Sequence, residues 1–463
     1  MKTKRFFSVF LLIVLVMSLW AVPFAAADGT EKPVLPEEPD IQCKAALLVD
    51  ANTGLAVYAK NEHQELYPAS LTKIMTALLT LEAIDSGKLA MNQEITATAS
   101  ALSGLSDDGS SANIQAGETM TVENLLYCML VVSANEACDI LAEAVSGSVD
   151  AFVANMNEKA AELGCKNTHF VNPNGLHDSQ HYTSAWDMYL ITKEAMTHPD
   201  FMRICDTATY TVPATNLSDA RTLHTTNYLI GAWWSRGYLN SDAHGIKTGS
   251  TSDAGHCLVS SATRGSLSFI SVVLGGDRVT LENNEIRTYS FYDTNLLFNW
   301  AFDSFTYQTV MEGQREIREV PVSLSKIDHV LAVTAQDTEV LMPKVLKPDD
   351  LEQRVSLLQE TVEAPVKSGQ KLGTLDLVYD DTVYATVDLL AANDVEASRL
   401  LTFWRDVRLF FAKTSVRVAL VVLAVLIAAL IVWKLLFSRR RYRYGRSVGR
   451  SRGSSYRGRG RRR

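Results

Sequence analysis

The first residues in this 463-residue chain whose types and spacing can do chemistry are a serine and a lysine in Pro68-Ala69-Ser70-Leu71-Thr72-Lys73-Ile74-Met75-Thr76. The stretch reads as a loop turning into an apolar helix. Residues i and i+3 lie on one helix face, so the Ser70 hydroxyl and the Lys73 amine are expected side by side. A serine hydroxyl is a poor nucleophile until a base takes its proton, and a partly desolvated lysine can be that base. The same letters also fit an ordinary helix start with a solvated lysine. A chain of this length holds about one or two S-x-x-K matches by chance, and a second, Ser323-Leu324-Ser325-Lys326, is present. Two triplets favour the first copy. Ser133-Ala134-Asn135 falls between two expected helices, and Lys247-Thr248-Gly249-Ser250-Thr251 opens a β-rich run. Ser111-Ala112-Asn113 repeats the S-x-N spacing without a helix starting at its end. The Ser323 copy follows the K-T-G triplet, out of order.

The elements that must position these residues follow from periodicity and punctuation. Lys44 to Asp50 and Leu55 to Ala59 are predicted strands around the turn Asn52-Thr53-Gly54. Glu94 to Ser111 is polar, rich in small residues and expected to be mobile. Helices are predicted over Thr121 to Val132, Asn135 to Val145 with Gly147 as stop, Ser148 to Leu163, and Ser184 to His198. His256 to Thr263 and Leu267 to Leu274 read as strands joined by Arg264-Gly265-Ser266, and Glu282 to Phe302 as a closing helix. Strands at both ends with helices between them predict an α/β sandwich carrying a helical subdomain. From about Met311 the pattern changes to short strands: Glu316 to Val322, Val330 to Thr334, Gln353 to Leu358, Lys371 to Tyr379 and Thr382 to Leu389, a small all-β domain.

The two ends give the setting. Residues 1–27 carry Lys2, Lys4 and Arg5, an apolar run and Ala25-Ala26-Ala27, the pattern of a cleaved secretory signal. Residues 28–42 read as a leader, 43–305 as the catalytic domain and 311–392 as the β domain. Residues 393–415 form an amphipathic helix with Leu400, Phe403, Trp404, Val407 and Phe411 on one face, expected at the membrane surface. Residues 416–437 are long and apolar enough to span a bilayer. Residues 438–463 hold twelve arginines and no acid, so the tail is expected in the cytoplasm, with the body outside. Between residues 28 and 415 there are 52 acids against 27 bases, a net charge of −25. Such a body favours solubility and disfavours a nucleic-acid partner. The six cysteines are scattered without a C-x-x-C pair, and no ligand set for a metal stands out; no cofactor is expected.

S-x-x-K, S-x-N and K-T-G in order are the combined signature of penicillin-binding proteins and class A β-lactamases. With them, the chain resembles the serine D-alanyl-D-alanine carboxypeptidases, the low-molecular-mass penicillin-binding proteins. The likeness runs from about Cys43 to Leu390. It includes the Ser70 segment, Asn172-Pro173-Asn174-Gly175-Leu176 with His181-Tyr182-Thr183-Ser184-Ala185-Trp186-Asp187-Met188, and Pro365-Val366-Lys367-Ser368-Gly369-Gln370-Lys371-Leu372-Gly373. The resemblance implies an α/β fold with a β-lactamase/DD-peptidase-like antiparallel sheet flanked by helices, a helical subdomain, the C-terminal β domain and one transmembrane helix. It also implies roles. Ser70 attacks the carbonyl between two D-alanines of a peptidoglycan stem peptide, and Lys73, lowered by burial and by Lys247, takes the proton. Ser133 relays a proton, and Asn135 holds Lys73 and the substrate amide. Lys247 and Thr248 attract the terminal carboxylate, and Gly249 lets substrate backbone approach. The Ser70 and Ser250 N–H groups form the oxyanion hole. β-Lactam antibiotics are the implied inhibitors.

The chain departs from the family in two places. Thr225-Thr226-Asn227-Tyr228-Leu229-Ile230 lacks the arginine that some members carry before K-T-G, leaving Arg278 or Arg287 as candidates for the carboxylate contact. Members usually end in an amphipathic anchor, without a span and Arg-rich tail. A β-lactamase is disfavoured, because no Glu-x-x-Leu-Asn follows Ser133 and position 134 is alanine where class A has aspartate. Endopeptidase or transpeptidase action uses the same residues and stays open. A non-catalytic penicillin-sensing receptor is opposed by the intact motif residues.

Overall fold

The structure, a computed structural model, describes residues 32–103, 109–233 and 237–438. The signal segment, the first leader residues and the tail from residue 439 lie outside them. Two compact units emerge: residues up to Val310 with Glu339–Leu351, and Met311–Thr338 with the chain from Glu352 onward.

The first unit is built on five antiparallel strands. These are β1 (Ala45–Asp50), β2 (Ala56–Lys60), β7 (Ala243–Thr251), β8 (Gly255–Arg264) and β9 (Leu267–Gly276), in the order β2-β1-β9-β8-β7. Short hairpins supply β3 (Glu94–Thr96) with β4 (Thr119–Thr121), and β5 (Thr209–Val212) with β6 (Arg221–His224). Alternation assigns each sheet residue its side. Ala45, Leu47 and Val49 join the core under the helices, whereas Ala46 and Leu48 join the core on the opposite face. All six residues of β1 are buried, as expected where both faces are covered.

On the first face lie α1 (Lys73–Asp85), α2 (Val122–Val131), α3 (Asn135–Ser146), α4 (Val149–Glu162), α5 (Ala185–Ala195) and α6 (Pro199–Cys205). Ten of the 13 residues of α1 are buried, so it forms the centre of the subdomain. Side-chain caps start three of its neighbours: Thr121 accepts from the Asn124 N–H, Ser148 from Ala151 and Ser184 from Asp187. Gly147, with φ +80°, stops α3. The opposite face is covered by α7 (Tyr289–Ser304) through Phe291, Leu297, Phe298 and Phe302.

Three sequence expectations need correction. The helix from Ser184 ends at Ala195, because Pro199 disfavours helical backbone at His198, which is extended, and a new helix opens at the proline. The segment from Glu282 does not start a helix. Asn284, with φ +63°, turns the hairpin between β10 (Arg278–Thr280) and β11 (Ile286–Thr288), and α7 begins afterwards. Within Glu94 to Ser111, Glu94–Thr96 is an ordered strand paired to Thr119–Thr121.

Strands β12 (Phe305–Met311) and β15 (Thr338–Pro343) pair with each other. In the second unit, six strands form one sheet in the order β16-β18-β19-β14-β13-β17: β13 (Glu316–Ser323), β14 (His329–Thr334), β16 (Glu352–Leu357), β17 (Val362–Glu363), β18 (Lys371–Tyr379) and β19 (Thr382–Ala391). The sequence pattern reveals five of them; the two-residue β17 is too short to alternate. Helix α8 (Arg399–Ala412) follows and buries no residue, with Phe403 and Trp404 59% and 60% exposed. Helix α9 (Thr414–Ser438) includes a 24-residue apolar stretch, Thr414–Phe437, long enough to cross a membrane.

Candidate active site

A one-turn 3-10 segment, Ala69–Thr72, leads directly into α1 and carries Ser70. Ala69 has φ +48°, a backbone that side-chain-bearing residues adopt only when surroundings impose it. Two glycines from distant segments provide that surrounding. A Cβ on Gly175 would lie 1.9 Å from the Ala69 carbonyl oxygen, and one on Gly249 would lie 2.7 Å from the Pro68 oxygen and 3.2 Å from the Ser70 nitrogen. The close approach that requires glycine at 249 is thus between β7 and the turn that carries Ser70. A hydrogen-bond chain adds to the clamp. The Thr72 hydroxyl donates to the Ala69 carbonyl (2.8 Å) and accepts from His181 Nε2 (2.8 Å), while His181 Nδ1 accepts the Val171 N–H (3.2 Å). These roles need a neutral imidazole, and burial pushes His181 down to about 4.

Lys73 is fully buried, and its Nζ donates to three neutral acceptors: Ser70 Oγ (2.8 Å), Asn135 Oδ1 (2.8 Å) and the Asn174 carbonyl (2.6 Å). Burial lowers its pKa, with the thiol of Cys138 and the carboxyls of Asp139 and Glu136 pulling the other way. A lysine so placed gives up its proton far more readily than a solvated one.

The third acceptor is what sequence reasoning missed. Asn172-Pro173-Asn174-Gly175 carries resemblance in the sequence but no role. Here the Pro173 carbonyl accepts from Thr76 Oγ1 (2.6 Å), Asn172 Oδ1 accepts from the Gly175 N–H (2.7 Å), and Asn174 presents its carbonyl to Lys73. The only signal for it was turn chemistry, which marks a loop without saying what the loop faces.

Ser133 sits between α2 and α3 with φ +66°. Its Oγ is buried with no hydrogen-bond partner among the described residues, and the residue lines the cleft above Ser70. Asn135 opens α3, its backbone N–H held by the Ser110 carbonyl (2.9 Å). The neighbouring Glu136 takes the Ser111 hydroxyl and the Ala112 N–H, each at 2.7 Å. The second S-x-N copy is therefore a strut for the first.

On β7, Lys247 is 1% exposed and donates to the carbonyl of Thr248 (2.9 Å). Burial first, and then the charge of Lys73, pushes it down to about 7. Thr248 Oγ1 meets Thr226 Oγ1 at 2.5 Å. Ser70, Ser133, Thr248, Gly249 and Ser250 line one cleft of about 220 Å³. Arg278 lines it too, whereas the Arg287 guanidinium lies over the Tyr292 ring at 4.2 Å.

Residues 32–278 match the D-alanyl-D-alanine carboxypeptidase family, and residues 305–397 match the penicillin-binding protein 5 C-terminal domain. The chain is 33% identical to the D-alanyl-D-alanine carboxypeptidase DacF of Bacillus subtilis over 401 residues, 86% of this chain and 97% of that one. Among solved structures it is similar to penicillin binding protein 5 from Haemophilus influenzae, at 30% identity and a TM-score of 0.61, covering 78% of this chain and 99% of that one. It is also similar to the carboxypeptidase DacD from Francisella tularensis, at 27% identity and a TM-score of 0.65, covering 81% and 100%. A lysine beside a serine at the foot of a K-T-G strand, and matches that run through both units, lead to one conclusion: the chain belongs to the D-alanyl-D-alanine carboxypeptidases, the low-molecular-mass penicillin-binding proteins, and is a serine-type hydrolase of that family.

Proposed function

We propose that the protein is a membrane-anchored carboxypeptidase that removes the terminal D-alanine from peptidoglycan stem peptides through an acyl-enzyme on Ser70. The observation that carries the reading is the 2.8 Å contact between Ser70 Oγ and a fully buried Lys73 whose other partners are neutral. Ser70 Oγ bonds to the carbonyl carbon as its proton passes to Lys73 Nζ. The bond to the terminal D-alanine breaks, and its amine takes the proton by way of Ser133 Oγ, which has no hydrogen-bond partner among the described residues and is free to relay. Asn135 holds Lys73 and the substrate amide. Lys247 and Thr248 attract the terminal carboxylate, assisted by Arg278 on the cleft. The backbone N–H groups of Ser70 and Ser250 serve the developing oxyanion. Water then attacks the acyl carbon, breaks the ester and returns a proton to Ser70. A β-lactam follows the same first step and stays on Ser70 as a long-lived ester.

The apolar stretch Thr414–Phe437 supports a single span. The exported N-terminal segment and the basic tail support a catalytic body outside the membrane. The exposed apolar side chains of Arg399–Ala412 support a helix lying at the membrane surface.

The test is to incubate the full chain in detergent with a pentapeptide ending in D-Ala-D-Ala. Release of D-alanine that is lost in Ser70→Ala is expected, together with a stable penicillin adduct by mass. No release, or rapid turnover of penicillin, overturns the reading.

A further inference from the structure

The mechanism above uses Lys73 but leaves the carboxylate nearest to its supporting loop without a task. Asp139 stands one helical turn after Asn135 on α3, so both project from the same face. It is 7% exposed, and its Oδ2 accepts from Asn174 Nδ2 at 3.3 Å. Asn174 is the residue whose carbonyl accepts from Lys73 at 2.6 Å, and its own Oδ1 is taken by the Leu176 N–H at 3.0 Å. One residue therefore carries Lys73 on its main chain and Asp139 on its side chain.

The neighbouring acids are committed elsewhere. Glu136 clamps Ser111 and Ala112, and Glu143 holds the hydroxyls of Thr98 and Ser100. Asp139 lines a separate cleft of about 700 Å³ with Glu143, Asp150, Asn174 and His177. That cleft shares no described lining residue with the one above Ser70. Solvent protons thus have a route to Asp139 that does not cross the substrate cleft.

We infer that Asp139 is a positioning residue for acylation: through Asn174 it fixes the carbonyl that holds Lys73, and its charge sets how tightly Lys73 keeps its proton. The groups facing it are Lys73 from α1, Glu136 and Glu143 from its own helix, Asp150 from α4, and Asn174 and His177 from the loop. Burial raises Asp139 to about 7, the Asn174 hydrogen bond and Lys73 oppose that, and Glu143 and Glu136 add to it. Above that pH the carboxylate favours protonated Lys73. Below it Asp139 takes up a proton itself, removes that counter-charge and lets Lys73 act as a free amine at more acidic pH.

The inference rests on acylation at Ser70, so the two are tested apart. The pH dependence of acylation by a fluorescent penicillin, from pH 4.5 to 9, is measured on the full chain in detergent, with Ser70→Ala as control. Labelling of the Ser70→Ala protein defeats the acylation reading itself. Asp139→Asn keeps an acceptor for Asn174 and removes the charge, so above about pH 7, where wild-type Asp139 is ionised, its acid limb moves to lower pH by about one unit, while below that pH the two profiles converge and the plateau is largely kept. Asp139→Ala also loses the acceptor, and its plateau falls about tenfold, a loss the asparagine variant restores. An Asp139→Asn profile that superposes on wild type above about pH 7 overturns the inference, and so does an Asp139→Ala plateau equal to that of the asparagine variant. If the alanine variant does not fold, the limb shift in Asp139→Asn decides alone.

Discussion

Ser70-Leu71-Thr72-Lys73 and Ser323-Leu324-Ser325-Lys326 share a spacing and live in opposite surroundings. The first opens a buried helix, and its lysine is 0% exposed among three acceptors, one of them the serine. The second starts on the last residue of β13 and runs into the loop before β14, where Lys326 is exposed and Ser325 Oγ donates to the Glu396 carbonyl at 2.8 Å. Backbone strain does not distinguish them: Ala69 and Ser133 have positive φ, but so do Leu324 and Asn113 in the second copies. The difference is desolvation. A lysine in water keeps its proton at neutral pH, whereas the same group buried against neutral oxygens becomes a base. The contrast teaches that the motif is a statement about what surrounds four residues as much as about the residues themselves.

The strongest way to break that comparison is to remove the buried lysine. Lys73→Ala is expected to slow penicillin acylation by about a thousandfold or more, the range of a lost general base, measured as the second-order rate of fluorescent adduct formation. Retained acylation would mean that burial of Lys73 is structural only. Next comes the packing that shapes the turn. Gly249→Ala puts a methyl 2.7 Å from the Pro68 oxygen. It is expected to cost about 1–3 kcal/mol in urea unfolding and to lower acylation by at least tenfold, because the turn that carries Ser70 must shift. Unchanged acylation would release Gly249 from that duty.

The second buried lysine gives a smaller and pH-dependent effect. Lys247 is pushed down to about 7 by burial and by Lys73, below its ordinary value of 10.5. A base whose folded value lies below its unfolded value destabilises the fold fully below the folded value. The penalty is lost as pH rises from about 7 to the ordinary lysine value. Lys247→Met is therefore expected to be more favourable, relative to wild type, at pH 6.5 than at pH 9.5 in urea unfolding. A difference that does not vary with pH would show that Lys247 holds its proton as an exposed lysine does.

Much of this arrangement was legible beforehand, for reasons that can be named. The side-chain caps at Thr121, Ser148 and Ser184 and the stop at Gly147 are local, so they are written where they act. The β1 and β9 runs are apolar because both faces are covered. What stayed hidden is long-range. Asn174 reaches Lys73 across 101 positions and Gly175 meets Ala69, and no periodicity links them. The segment Glu282 to Thr288 holds a single apolar residue, Ile286, so no periodicity marks where the hairpin ends and α7 begins, while Asn284 with φ +63° reverses the chain. Sequence alone leaves Arg278 and Arg287 equivalent, since only folding brings Arg278 to the cleft and sends Arg287 over Tyr292.

The smallest expected effect is the control that gives the comparison its edge. Replacing Ser323 and Lys326 together by alanine is predicted to leave acylation and D-alanine release within about twofold of wild type, because neither side chain belongs to a buried proton path. Among the described residues, Ser323 Oγ reaches only the Val362 carbonyl, at 3.5 Å. The loop itself has another duty. The Leu324 carbonyl accepts the Ser398 N–H at 2.7 Å, just where Arg399–Ala412 begins. Those are backbone atoms, and alanine keeps them, so the start of that helix is expected to stay in place. Ser398→Pro removes the N–H instead, and its rate of acylation is the measurement to set beside that of the double-alanine protein. If the double-alanine protein lost acylation while Ser398→Pro did not, the Ser323 turn would be tied to catalysis by its side chains, and burial would no longer separate the two copies.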